Sequence, residues 1–425
     1  RSAAAPRAVQ RLAGLVSTLL AAGLVVGCST APQTYAERER LMPPTDEVIT
    51  RNDWYRPWQT VGGATRAWPL DRDRYPPGAL ADALASAHRY ETHALVVIQD
   101  GRLVFEDYAS SYSATSRFNT QSMHRGLLAL GLFAALADGR IGSLESRVGE
   151  YLPAWRADPR GAITIAQLLY GRSGLASANS PQAPPGSGLQ MFIGNDIEST
   201  VLSIPALAAP GGAFRPNEVE AQLAGLVLEA ATGEDYARYL SRRLWRPLGA
   251  SAAAVQLDRP GGHARMFCCL LASARDWARV GQLVLDQGRV GAREVLPRNW
   301  IERLREVRPD APGSGPFWFL EATPLGPRAP GEAPPPVTAF SRGDVLFAGG
   351  RGGQRLYVIP SLRAVVVRIG RIRNDFDDGA FLNPFIAALA TAPLPGPTRS
   401  LPWPRTVDDM QTEPTPTAPE ARPSR

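Results

Sequence analysis

The chain of 425 residues contains no lysine; all 46 of its basic side chains are arginine. A guanidinium keeps its proton at any physiological pH, so no cation in this protein can act as a general base. Ala, Arg, Gly and Pro are abundant in the manner of a GC-rich genome. Codon bias of that kind empties a surface of lysine, but it does not by itself empty a reaction centre. Cysteine is nearly absent as well, with 3 in the chain, so no disulfide framework supports the fold, and none is needed at this size. Cys268 and Cys269 are neighbours in an apolar stretch. Neighbouring cysteines bridge only through a strained ring, so two buried free thiols are expected. The 4 histidines lack metal-ligand spacing, and neither H-E-x-x-H nor C-x-x-C occurs, so no metal or cofactor is expected. The absence of G-x-S-x-G disfavours an α/β-hydrolase. Gly349-Gly350-Arg351-Gly352-Gly353 leads into a predicted strand rather than a helix, which argues against a phosphate loop. The arginines are scattered among acids despite a net charge of +6, which speaks against a nucleic-acid surface.

What is present begins with a leader. Arg1, Arg7 and Arg11 precede or open an apolar run that ends in Val25-Val26-Gly27-Cys28. A basic start, a short apolar stretch and small residues before the cut define a secretory signal, here residues 1–27. The run is short for a membrane span. A cysteine directly after the cut looks like a bacterial lipobox, which makes Cys28 the expected lipidation site and the lipid the expected membrane partner. Ser29 favours outer-membrane delivery, facing the periplasm. The chain opens at Arg1, so part of the leader is expected upstream. Residues 28–55 then read as lipidated cysteine and tether, 56–392 as the folded domain, and the Pro-, Thr- and Ser-rich 393–425 as a disordered tail.

Within the domain, 80–88 reads as a helix and 93–100 with 102–108 as a hairpin. Residues 122–138 form a strong helix, apolar on nearly all sides and therefore central. Helical patterns recur at 165–169, 221–232, 236–244 and 274–286, and strands return at 344–348, 355–359 and 364–369. Strands at both ends with helices between predict an α+β fold: an antiparallel sheet flanked by helices, with an inserted helical lobe. Residues 180–188 and 309–336 read as long surface loops.

A serine at a helix start is chemically apt, because unpaired N–H groups and the positive dipole end favour developing negative charge there. A residue three positions on lies on the same face. The sequence reads Ser122-Met123-His124-Arg125, followed by Asp138-Gly139-Arg140-Ile141, Val148-Gly149-Glu150-Tyr151-Leu152-Pro153 and Ser173-Gly174-Leu175. Then come Leu244-Trp245-Arg246-Pro247-Leu248-Gly249, Ala274-Arg275-Asp276-Trp277-Ala278-Arg279 and Gly353-Gln354-Arg355-Leu356-Tyr357-Val358-Ile359-Pro360. In this order the motifs resemble the serine β-lactamase and penicillin-binding-protein-like superfamily over roughly Asp82 to Leu389. The similarity is greatest to its class C, esterase and 6-aminohexanoate-oligomer hydrolase branch.

The resemblance implies the β-lactamase/transpeptidase-like fold and acyl transfer to Ser122, followed by hydrolysis of a small-molecule amide or ester. In the family a motif lysine and the tyrosine of Tyr-x-Asn assist the serine. Here Arg125 stands at the lysine position, Pro216 at the tyrosine position and Glu218 at the asparagine position. The third motif reads Ala348-Gly349-Gly350. The implied oxyanion hole is the backbone N–H of Ser122 and Arg351. Two expectations follow: impaired catalysis, or an inactive relative that binds a ligand or envelope partner in the inherited cleft. The paired changes also predict an ion pair between Arg125 and Glu218, with Glu218 as a replacement base for Ser122 the less favoured variant. His124 is expected to point away from Ser122 as a packed or surface residue, and Tyr170 and Trp318 to serve packing.

Overall fold

The computed structural model describes residues 33–306, 313–322 and 337–391. Cys28, the leader and the Pro-rich tail lie outside them. Strands β1 (Trp58–Val61), β2 (Thr92–Gln99), β3 (Arg102–Tyr108), β4 (Arg117–Asn119), β5 (Ala253–Gln256), β6 (Leu270–Ser273), β7 (Leu346–Gly350), β8 (Gln354–Ile359) and β9 (Ala364–Gly370) form two antiparallel sheets. The larger has the order β3-β2-β9-β8-β7, so strands from both ends of the domain complete one sheet, as expected. The smaller, β1-β5-β6-β4, is made of three- and four-residue strands that are too short to show an alternating pattern.

Side chains of successive strand residues point to opposite faces, and both faces of the larger sheet are covered. Leu95 and Val97 pack with Ala83 and Ala87 of helix α1 (Ala81–Arg89) and with Phe381 of a C-terminal helix. Val96 and Ile98 face the opposite way, into the main core. That core contains helix α2 (His124–Ala137), helix α3 (Glu218–Thr232) and helix α4 (Ala274–Leu285). Gly281 lets α4 lie directly on the sheet, since a Cβ there would come within 2.5 Å of Val365 and 2.7 Å of Leu356.

Helix α2 is buried at every residue from Gly126 to Leu136. It packs on α3, which is buried from Val219 to Leu228, so the helical lobe encloses α2 against the sheet. The predicted helix start at Ser122 is a 3₁₀ turn, Gln121–Met123, that runs into α2.

The segment expected as a tether folds onto the domain from residue 33 onward. Thr34 and Glu37 form a capping box on a short helix, Tyr35–Leu41. Its Arg38 is fully buried and donates to the carbonyls of Ile193 and Gly194 at 2.9 Å each, Asp258 at 2.8 Å and Arg56 at 3.1 Å. Tyr55 donates to Leu257 O at 2.7 Å. The segment's polar composition concealed this role because its one buried cation is satisfied by backbone carbonyls rather than by an apolar stripe.

The C-terminal helix α5 (Asp378–Leu389) is tied to the sheet by charge. Asp378 receives Arg355 Nε at 2.5 Å and Nη2 at 2.9 Å, and Tyr357 Oη at 2.5 Å, with both ionic side chains 2% exposed. Asp378→Ala would strand a buried guanidinium. It is expected to lower unfolding free energy by about 3–5 kcal/mol, as measured by urea denaturation.

Candidate active site

Ser122 sits in the 3₁₀ turn that opens α2 and is half-buried. Gln121 before it has a φ of 52°, a left-handed conformation that holds the turn in a sharp bend. The end of β7 presses against this turn. A Cβ on Gly350 would lie 2.2 Å from Thr120 O and 3.1 Å from Met123 N, so only glycine permits the approach. Gly126 allows a second close contact, where a Cβ would be 2.7 Å from that of Ala348. Trp318 is fully buried and donates to Gly126 O at 3.1 Å, so it packs α2 as expected. The backbone of Arg351 follows β7 directly, and its side chain is exposed.

The Ser122 hydroxyl makes no hydrogen bond to any described residue. Arg125 does not reach it: Arg125 Nε donates instead to Phe267 O at 3.2 Å. Burial depresses the Arg125 pKa, while the charges of Glu218 and Glu220 oppose that shift. His124 is fully buried beside it, with Nδ1 bonded to Cys268 O and Nε2 2.7 Å from Tyr236 Oη. A carbonyl only accepts, so Nδ1 carries the proton and Nε2 accepts from the phenol. Burial pushes His124 down to about 4, so it is a neutral packing residue turned away from Ser122.

The thiols expected to be free are joined as a Cys268–Cys269 disulfide. Cys269 adopts a φ of 69°, and this local turn is what brings adjacent side chains together. The same turn presents the successive carbonyls of Phe267 and Cys268 to Arg125 and His124.

The expected Arg125–Glu218 ion pair is not formed as a direct contact. Glu218 Oε1 accepts from Ser177 Oγ and from Ala178 N at 2.7 Å each, which draws the carboxylate toward that loop. Its influence on Arg125 is Coulombic, across a gap. Pro216 is exposed and packs against Gly171, whose φ is 64° and where a Cβ would lie 2.8 Å from the proline Cβ. Tyr170 is buried, and its hydroxyl meets Glu306 at 3.3 Å.

Sequence reasoning missed Glu220, although Asn217-Glu218-Val219-Glu220 has capping-box spacing. Asn217 caps α3 through its side chain, and Glu220 Oε2 accepts from Asn217 N at 3.0 Å. Glu220 Oε1 takes Ser173 Oγ at 2.7 Å and Ser173 N at 3.0 Å. It is fully buried, and desolvation raises its pKa to about 7 against those hydrogen bonds and the nearby Arg125 charge. The carboxyl therefore locks the Ser173 loop to α3 and changes its charge near neutrality. No group of three or more His, Cys, Asp or Glu capable of holding a metal occurs among the described residues.

Comparison with known proteins finds relatives of this fold. The Beta-lactamase family profile matches residues 78–391. The 6-aminohexanoate-dimer hydrolase of Paenarthrobacter ureafaciens is 25% identical over 297 residues, covering 65% of this chain and 72% of that protein. A putative 6-aminohexanoate-dimer hydrolase from Bacillus anthracis superposes with a TM-score of 0.64 at 19% identity, covering 82% of this chain and 97% of the other. A D-stereospecific amidohydrolase from Streptomyces sp. gives 0.53 at 18% identity, covering 73% and 98%.

A carboxyl whose folded pKa exceeds its unfolded value holds its proton better in the folded protein. Its contribution is complete below about 4.3 and is lost as pH rises through about 7. Relative to Glu220→Gln, the unaltered protein should therefore lose stability between about pH 5 and pH 8, as measured by melting temperature across that range.

Proposed function

The chain belongs to the β-lactamase family, and we propose that its hydrolase domain retains the acyl-accepting serine while lacking the proton-transfer groups for efficient turnover. One observation carries this reading. Ser122 opens α2 against the end of β7, and its hydroxyl is engaged by none of the described side chains. In the reaction proposed, the Ser122 oxygen attacks an amide or ester carbonyl. The acyl–serine bond forms as the C–N or C–O bond breaks, and the serine proton passes through water to the departing amine or alcohol. Water then cleaves the acyl-enzyme. The backbone N–H groups of Ser122 and Arg351 are the proposed donors to the tetrahedral oxyanion. The relatives' names, a dimer hydrolase and an amidohydrolase among them, support an amide-type substrate.

Neither proton-transfer position holds a usable group. Arg125 remains a cation and is turned toward Phe267 O. Pro216 has no side-chain proton. Glu218 is committed to Ser177 and Ala178, which argues against the variant in which it replaces the base. A positioned base is worth about 10²–10⁴ in rate, while the oxyanion hole and binding leave a residual acceleration. A second reading, a ligand-binding cleft without turnover, draws on the same lack of an acid–base partner for Ser122. We also propose that Cys28 carries a lipid that holds the domain at the bacterial outer membrane, facing the periplasm. Loss of palmitate incorporation in Cys28→Ala would support lipidation at that residue.

A fluorophosphonate probe should label the full chain slowly, about 10²–10⁴-fold below a serine hydrolase with an intact base. Ser122→Ala should abolish the label. No labelling of the unaltered chain at high probe concentration would overturn the hydrolase reading and leave a binding cleft.

A further inference from the structure

We infer that Arg125, one helical turn beyond Ser122, has become a receptor for a carboxylate carried by the ligand. This deepens the proposed function and rests on the cleft beside Ser122 being the ligand site.

Three observations point there. The first is the orientation of the guanidinium. Its Nε is fixed to Phe267 O at 3.2 Å, which leaves the Nη1–Nη2 edge without a partner among the described residues. That edge is the fork that grips a planar carboxylate with two parallel hydrogen bonds. The second is its electrostatic setting. Arg125 is half-buried and its charge is disfavoured by desolvation, yet no carboxylate is in direct contact with it. Glu218 is held by Ser177 and Ala178, and Glu220 by Ser173 and Asn217. A partly desolvated cation without a contacting counter-charge gains most from an anion that arrives with the ligand. The third is spacing. Arg125 lies three residues beyond Ser122 across the join of the 3₁₀ turn and α2, where residues three apart nearly eclipse. The rise between them is about 4.5–6 Å.

Arginine at this position would thus bind where the family's lysine would move protons. The side chain already held by Phe267 O loses little freedom when the anion binds.

Calorimetric titration of the full chain with glutaramate, which carries one carboxylate and one amide, and with neutral glutaramide tests this directly. Glutaramate should bind at least about tenfold more tightly. Arg125→Gln should remove the preference and Arg125→Lys should keep part of it, with melting curves confirming that both are folded. Glu218→Gln, which removes the nearest competing negative charge, should raise glutaramate affinity. Equal affinities for the two probes in the unaltered chain would overturn the inference without recourse to any variant. So would a preference that survives Arg125→Gln, a fall in affinity with Glu218→Gln, or tighter binding of inorganic phosphate than of glutaramate. The outcome is separable from that of the hydrolase reading. Glutaramate preference in Ser122→Ala together with no fluorophosphonate labelling of the unaltered chain would leave the receptor standing and the hydrolase fallen. Ser122-dependent labelling with equal probe affinities would do the reverse.

Discussion

The complete burial of α2 is the constraint on which the rest of the structure depends. From Gly126 to Leu136 no residue of that helix faces water, so it must be enclosed by the sheet on one side and by α3 on another. A helix embedded in this way is open to solvent only near its ends, and the turn that carries Ser122 is at one of them. Gly126 and Gly350 serve this arrangement. They remove the two Cβ atoms that would otherwise keep β7 away from the serine turn.

The charged groups follow a related logic. A chain without lysine places several guanidinium groups in the interior: Arg38, Arg265, Arg355 and Arg368 are all nearly fully buried. Each is satisfied by several acceptors at once. Arg368, for example, donates to Gly353 O at 2.8 Å and to Gly352 O at 3.2 Å. Five donors in a planar fork suit such positions better than an ammonium would. Arg125 fits the pattern only in part, because a single nitrogen is anchored.

Much of the fold was legible from residue patterns. The hairpin of β2 and β3, the late strands and α2 fall within a few residues of where periodicity put them, because both faces of the larger sheet are apolar. The smaller sheet was not legible, since three residues cannot show a period. The contacts around the candidate site were not legible. Ser122 and Pro216 could be aligned with the family's motifs, yet whether Arg125 would turn to Glu218 or to Phe267 O depends on a backbone turn at Cys268–Cys269. The pairing of those two cysteines had seemed too strained to expect. The Asn217–Glu220 cap was written plainly in the sequence. Its second task, holding Ser173, joins residues 47 positions apart and leaves no local signal.

Each side chain that departs from the family's motifs makes a local contact. Arg125 rests on the carbonyl of Phe267, and Glu218 on Ser177 and Ala178. Pro216 sits in the space left by a residue without a side chain at 171. The fold thus accommodates three residues that differ from the family's motifs. A tyrosine returning to position 216 would need room at Gly171, and a lysine at 125 would have no Nε–H to offer Phe267. Placing the motif residues at 125 and 216 would therefore change the contacts of Phe267 and Gly171 as well as the side chains themselves.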